Sequence, residues 1–438
     1  MVRSKKAWYA AVALTGVSAL ALVGCAGGGE STPTESSDGG SADYVAQDCA
    51  NDATSADTLK VGTLLPVTGT LAFLGPPEIA GVGLAVDDIV AAGDSACTFW
   101  TDSGDSNDMT VSSASADDLL NADVSVVIGA ASSSVSLNVV DKLTTGASPV
   151  VQISPANTAA SLSGYSDFFF RTAPPDTVQG SALGQLITGD GNANVAFLVF
   201  NDAYGTGLRD VVEETVTSAG GAVTYGASGA GQEFPPGQTT FSSEVTAALA
   251  TDPDAIVIIA FDETKAIIPE LVSQGWDMSR TYYTDGNTSD FSSDFEPGTL
   301  EGAQGTIPGA NAADDFKERA SAWHEAVEGS ALDDYSYSAE SYDAVILAAL
   351  AALEGGATDP ATIQANLAAV SGASGGTECS TYAECKELIA AGDEIHYTGV
   401  SGAGPFNESN DPSSAFIGIY KFDGDNVPVW VSAVEGES

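Results

Sequence analysis

The stretch Val124-Ser125-Val126-Val127-Ile128-Gly129-Ala130-Ala131-Ser132-Ser133-Ser134 decides the fold of this chain. Its first half is a short, nearly continuous apolar run, which reads as a strand buried on both faces. Gly129 breaks the run, and a helical pattern follows over Ser134–Thr145. The same alternation extends outward on either side. Leu59–Leu65 is an apolar strand, Pro66–Pro77 a Pro/Gly turn, and Ile79, Val82, Val86, Ile89 and Val90 fall on one helical face. Further strands are expected at Cys97–Thr101 and Pro149–Ser154, with a helix near Val111–Leu120. Buried strands alternating with amphipathic helices imply a parallel sheet covered by helices on both faces.

The pattern then restarts. Strands are predicted at Val195–Phe200, Ala222–Tyr225, Ala255–Ala260 and Thr281–Thr284, with helices near Gly207–Ala219, Ser242–Leu249 and Thr264–Gln274. The two blocks meet near Arg171–Asp176. After Gly302–Pro308 the chain is mainly helical (Ala312–Glu328, Ser338–Leu353, Pro360–Ala369), and it closes with strands at Ala415–Lys421 and Val427–Val431. A helical tail of that length packs back on the first block, so the expected fold is α/β, with two doubly wound parallel-sheet lobes joined by a multi-strand hinge. The expected boundaries are 58–174 plus 308–398 for the first lobe and 175–307 plus 399–438 for the second.

The N-terminus carries an address. Arg3, Lys5 and Lys6 precede an apolar run, Ala7–Val23, that ends in Leu22-Val23-Gly24-Cys25. A basic start, a hydrophobic segment and small residues at a cleavage point describe an export signal over residues 1–24. The ending looks like a bacterial lipobox, which would make Cys25 a lipidated N-terminus held on the outer face of the cytoplasmic membrane. Residues 25–57, rich in Gly, Ser, Thr, Asp and Ala, read as a flexible tether.

With 60 acidic and 13 basic residues, the formal net charge is −47. A surface of that sign repels phosphate backbones, and no basic cluster follows the signal, so nucleic acid is excluded as a partner. Cys25 aside, four cysteines remain, which an exported chain can oxidise and which allow three pairings. Cys379 and Cys385 lie close together, while Cys49 and Cys97 each sit near the start of a predicted strand. The expected bonds are therefore Cys49–Cys97 and Cys379–Cys385. No CxxC pair exists and only His324 and His396 could join a thiolate, so no metal or other cofactor is expected.

In open α/β sheets ligands sit beyond the carboxyl ends of the strands. Gly129–Ser134 offers helix N-terminal N–H groups and hydroxyls suited to a carboxylate, and Pro155-Ala156-Asn157-Thr158 lies at the next strand end. In the second block the strand ends carry Asn201-Asp202-Ala203-Tyr204-Gly205 and Asp285-Gly286-Asn287, and Asp285 could pair with an ammonium group. Anion donors on one lobe facing a carboxylate and a tyrosine on the other suit a zwitterion.

These motifs, with Pro66-Val67-Thr68-Gly69, Phe170-Arg171-Thr172, Tyr342-Asp343-Ala344 and Tyr397–Gly402 followed by Phe406, occur in an order that resembles the leucine/isoleucine/valine-binding proteins. Those are periplasmic-binding-protein-type I receptors of ABC importers, and the resemblance covers Leu59 to Val431. It implies that Ser133, or Ser132 in its place, with Ala156 and Thr158, holds a ligand carboxylate and part of its ammonium. It further implies that Tyr204 and Phe261 close from the second lobe and that Asp285 binds the ammonium. A disulfide near the second strand, consistent with Cys97, is also common in that family. The implied ligand is a small amino-acid-like solute, branched-chain amino acids first, with amides, urea or aromatic acids as alternatives. The implied partner is an ABC permease, served by a monomer, and a sensing subunit of a signalling system is the alternative from another class.

Two motifs point elsewhere. Gly372-Ala373-Ser374-Gly375-Gly376 matches G-x-S-x-G, but a helical pattern precedes it where a nucleophile elbow needs a strand, so no enzyme is expected. Asp102, Asp105 and Asp108 lack the glycine and glutamate of a calcium loop and read as solvated turn.

Overall fold

A computed structural model describes residues 44–50 and 57–438. The export signal, Cys25 and most of the tether lie outside them. The first lobe is built on β1 (Leu59–Leu64), α1 (Gly75–Ala91), β2 (Ala96–Phe99), α2 (Met109–Asn121), β3 (Val126–Gly129), α3 (Ser133–Thr144), β4 (Val151–Ser154) and β5 (Phe169–Arg171). Its strands are all parallel, in the order β2-β1-β3-β4-β5. Every residue of β3 and β4 is buried; β3 reads as an apolar run, and in β4 the buried Gln152 and Ser154 are hydrogen-bonded to Gly129 O (2.9 Å) and Ala130 O (2.6 Å).

The chain then crosses to the second lobe: α4 (Asp176–Gly189), β6 (Asn194–Val199), α5 (Ala203–Ser218), β7 (Ala222–Tyr225), α6 (Ser242–Leu249), β8 (Ala255–Ile259), α7 (Thr264–Ser273), β9 (Thr281–Tyr283) and β10 (Gln304–Pro308). It returns for α8 (Asp314–Val327), α9 (Ser338–Gly355), α10 (Pro360–Val370), β11 (Thr377–Cys379), α11 (Tyr382–Ala391) and β12 (Ile395–Tyr397). The antiparallel hairpin β13 (Ser414–Phe422) and β14 (Pro428–Glu437) completes the second sheet, in the order β14-β13-β10-β9-β8-β6-β7. Its parallel part, β7-β6-β8-β9-β10, repeats the strand order of the first lobe. Both lobes therefore reverse direction beside their first strand, at the β1/β3 and β6/β8 junctions.

Helix α9 is apolar nearly all round because it is enclosed, packing on α1 and α10 inside the first-lobe core. No single helix among the described residues is long and apolar enough to cross a membrane. Cys49 is bonded to Cys97 and Cys379 to Cys385.

Two expectations need correction. Residues 44–50 do not behave as tether: Cys49 N donates to Thr98 O (3.0 Å), Thr98 N to Gln47 O (2.8 Å), and Trp100 Nε1 to Asp48 Oδ1 (3.0 Å). These bonds and the Cys49–Cys97 bond hold the segment on β2, the edge strand, whose free N–H and C=O groups need a cover. Residues 399–412 belong with the first lobe and not the second, since Phe406 lies in its core, edge-on to Phe170 at 5.1 Å.

Candidate functional site

The loops at the two reversal points face each other across the lobes. Gly129, at the end of β3, has φ +125°, and a Cβ there would lie 2.1 Å from the Leu64 carbonyl oxygen. Only glycine lets the chain turn so close to β1 and start α3 directly beyond the sheet. Ser132 then caps α3, its Oγ accepting from Val135 N (3.4 Å). Ser133 Oγ accepts from Ala159 N (3.2 Å) and Thr158 N (3.4 Å), so this hydroxyl fixes the loop after β4. Ser154 Oγ donates to Ala130 O (2.6 Å) and Asn157 Nδ2 to Ala131 O (2.7 Å), which clamps that loop from the other side. The first-turn N–H groups of α3 have no intrahelical acceptor and carry the positive end of the helix dipole.

The loop after β1 is held differently. Asp102 accepts from Thr68 N (3.2 Å) and Val67 N (3.1 Å), Asp105 accepts from the Thr70 hydroxyl (2.8 Å), and Asp108 caps α2. Asp102 and Asp105 thus anchor Pro66–Thr70 beneath Leu71 and Leu74, which line the site, and Asp105 is buried where the sequence suggested solvated turn. The G-x-S-x-G stretch follows α10 and not a strand, and Ser374 is exposed. Among the described residues no group of three or more His, Cys, Asp or Glu could hold a metal ion.

On the second lobe Asp202 caps α5 through Tyr204 N (3.0 Å), which orients Tyr204 at the end of β6. The Tyr204 ring stacks on Phe261 (5.8 Å, 14°), and Phe261 meets Phe200 edge-on at 4.8 Å. Asp285, just beyond β9, is 7 % exposed and accepts three hydrogen bonds. Tyr204 Oη (2.7 Å) and Gln179 Nε2 (2.8 Å) donate to Oδ1, and Tyr337 Oη (2.7 Å) to Oδ2. Tyr337 belongs to the segment just before α9, so this bond ties the lobes together. A second tie runs from Ala203 N to Ser134 Oγ (3.3 Å).

Ser132, Ser133, Ala156, Thr158, Tyr204, Phe261 and Asp285 all line one small interlobe cavity. Leu71, Leu74 and Tyr337 also line it, and sequence reasoning missed them. Leu71 and Leu74 lay in what reads as turn; two apolar residues just past a strand end were the available signal. Tyr337 carried none. The cavity has a volume of about 10 Å³, room for one water at most. A larger guest enters only when the lobes part.

The electrostatics favour a cation on the second-lobe side. Among the described residues no Lys, Arg or His lines the cavity. Burial raises the Asp285 carboxyl above its ordinary range, opposed by the hydrogen bonds from Tyr204, Tyr337 and Gln179. Asp176, at the start of α4 and fully buried, is pushed up much further by burial and then by the charge of Asp285. The Thr158 side chain and Arg171 only partly offset the burial.

Comparison with known proteins gives the context. The family described as periplasmic binding protein matches residues 58–385. A substrate-binding protein of a chemotactic signal transduction system from Halobacterium salinarum, BasB, is 27% identical over 280 residues, covering 60% of this chain and 62% of that one. This chain thus matches less than two thirds of that relative's length. The structure of a leucine binding protein, LivK, from Thermotoga maritima superposes with a TM-score of 0.69 at 19% identity, over 86% of this chain and 98% of the other. A solute binding protein of an ABC transporter from Rhodopseudomonas palustris, in complex with p-hydroxybenzoic acid, gives 0.68 at 17% identity, over 87% and 98%. At those identities the two structures establish a shared fold.

Proposed function

The chain belongs to the periplasmic binding protein family, and on that premise we propose that it captures a small amino-acid-like solute in its interlobe cleft for an ABC importer. The observation that carries this reading is the pairing of opposite chemistries at the two reversal points. The first lobe presents N–H groups and hydroxyls, and the second presents Asp285 with an aromatic wall. In the proposed complex the ligand carboxylate sits at the start of α3, with Ser132 or Ser133, Ala156 and Thr158 around it. Its ammonium pairs with Asp285, which has about four acceptor positions and uses three here. Leu71, Leu74, Tyr204 and Phe261 enclose an aliphatic side chain. Branched-chain amino acids fit this set first. An aromatic acid without an ammonium would leave Asp285 facing a desolvated apolar ring.

Binding acts by shifting an open–closed equilibrium, so no chemical step is required. The receptor works as a monomer held outside the cytoplasmic membrane through Cys25, within reach of a permease. The similarity to a chemotactic binding protein favours a second reading, in which the closed form reports to a signalling partner. The capture step is the same in both.

A thermal-shift panel of leucine, isoleucine, valine, acetamide, urea and 4-hydroxybenzoate tests the ligand class. A true ligand at 100 times its Kd adds about 2.7 kcal/mol of stability. Asp285→Asn, which keeps the shape and removes the charge, is expected to weaken amino-acid binding about 10- to 100-fold, the worth of one charge-assisted hydrogen bond. Stabilisation by urea or 4-hydroxybenzoate alone, or unchanged leucine affinity in Asp285→Asn, would defeat the assignment.

A further inference from the structure

A second cavity, of about 270 Å³, lies on the flank of the cleft. The segment before α9 and the start of α9 form one side of it, and the β13–β14 hairpin with Thr288–Asp290 the other. It is far roomier than the closed cleft, and both lobes contribute to it. Four carboxyl groups line it, those of Asp290, Asp333, Asp334 and Glu340. Among the described residues none of the four is in an ion pair. Among the described residues Lys317 is the one cationic side chain in the lining; its Nζ donates to Asn311 Oδ1 and sits 5.8 Å over the Tyr335 ring, both in the same lining, and it pairs with none of the four carboxyl groups.

Glu340 is the second, independent observation. It is 4 % exposed, lines the cavity, and its carboxyl has no side-chain partner, only its own backbone N–H favouring ionisation. Burial pushes this carboxyl up to about 8, with Asp343 adding to the rise. A buried acid of that kind, facing a cavity and unpaired, lacks a counter-charge. The walls around it are aromatic. Tyr337, Tyr420 and Trp430 line the same cavity, and the last two, paired across β13 and β14, meet edge-to-face at 5.4 Å. The carboxyl groups are too dispersed to ligate a metal ion together. Carboxylates spaced around tyrosine and tryptophan rings are instead the surroundings that hold an organic ammonium by charge and cation–π attraction.

We propose that this flank cavity is a second binding site, for a small organic ammonium ion, with Glu340 as its counter-ion and Tyr337, Tyr420 and Trp430 as its walls. An occupant would touch both lobes. It would also lie beside Tyr337, whose hydroxyl donates to Asp285 in the cleft at 2.7 Å.

The test uses the full chain and tetramethylammonium chloride as probe, titrated calorimetrically at fixed high NaCl so that diffuse attraction to the acidic surface is screened. Saturable binding is expected, with no binding of tert-butanol, the neutral probe of similar shape. Glu340→Gln and Trp430→Ala are each expected to weaken the probe at least tenfold. Asp285→Asn, which disables the cleft in the reading above, is expected to leave it unchanged. Equal binding of tert-butanol, no saturable binding, or full affinity in both Glu340→Gln and Trp430→Ala overturns the proposal. Loss of binding in Asp285→Asn overturns it as well, because the cation would then occupy the cleft. The two variants alter different walls, so a folding defect in one leaves the other decisive.

Discussion

Arg171→Ala is expected to lower the stability of the folded body by about 3–5 kcal/mol, the cost of leaving one member of a buried ion pair alone. Arg171 has no exposed surface and forms a fork with Asp411, Nε to Oδ1 at 2.5 Å and Nη2 to Oδ2 at 3.1 Å. Its remaining donors reach Ala159 O (2.9 Å), Asn157 O (3.3 Å) and Ser163 Oγ (2.6 Å). One guanidinium thus joins β5, the loop after β4 and the segment 399–412. Alanine would strand Asp411, itself 3 % exposed, and remove the guanidinium's donors from Asn157 O and Ser163 Oγ. Lysine restores the charge without the fork and is expected to recover only part of the loss. Urea unfolding of the three proteins checks this, and a loss below about 1 kcal/mol in Arg171→Ala would contradict the assignment of a structural ion pair. The same loop carries Thr158, so Arg171→Ala is also expected to loosen the first-lobe wall of the cleft.

What could be read from the residues follows from where the physics is local. Strands β3, β6 and β8 are enclosed on both faces, so each announces itself as an apolar run ending at a turn; β4 does so only in part, through Val150, Val151 and Ile153, and the loops beyond all four were found with them. Ser132, Thr158 and Tyr204 stand within a few residues of such an end, and Asp285 lies just past the fully buried β9. Helix α4 was missed because its glycines weaken the helical pattern. Gly180 and Gly184 let α5 approach, and a Cβ at either would lie 2.7 Å or less from Val211 or Thr215. Short β5 and β11 have too few residues to show a period. Tyr337 and Gln179 reach Asp285 from 52 and 106 residues away in the chain, a relation set by how the lobes close and by nothing nearby in sequence. The same holds for residues 44–50, whose composition says tether while a disulfide and an edge strand decide otherwise.

The second large effect is a loss of stability with rising pH that traces to Glu340. Burial raises this carboxyl from the ordinary value of 4.5 to about 8, and the facing groups make no correction. Glu78 on α1, Asp343 on α9, Tyr337 before it and Tyr420 on β13 are all acids. Glu78, with neither oxygen hydrogen-bonded, is itself held well above the usual carboxylate range by burial and by Glu340. A raised acid binds its proton more tightly in the folded state than in the unfolded state. Its contribution is therefore complete below about 4.5, declines across the window, and is gone above about 8. One such group removes about 1.4 kcal/mol per pH unit while it lasts. Glu340→Gln has no proton to lose, so the variant is expected to match the parent near pH 4.5, to gain on it steadily up to about pH 8, and to hold a constant advantage beyond. Urea midpoints at pH 4.5, 6, 7.5 and 9 measure that difference, and a gap independent of pH would show that the carboxyl is not protonated in the folded chain. Subtraction of the parent curve matters, because Asp176, Asp285, Asp334 and Asp343 are raised by burial too and tilt both proteins in the same direction. An ammonium ion in the flank cavity would supply the missing counter-charge, so the probe that binds there should flatten the parent's decline and leave that of Glu340→Gln untouched.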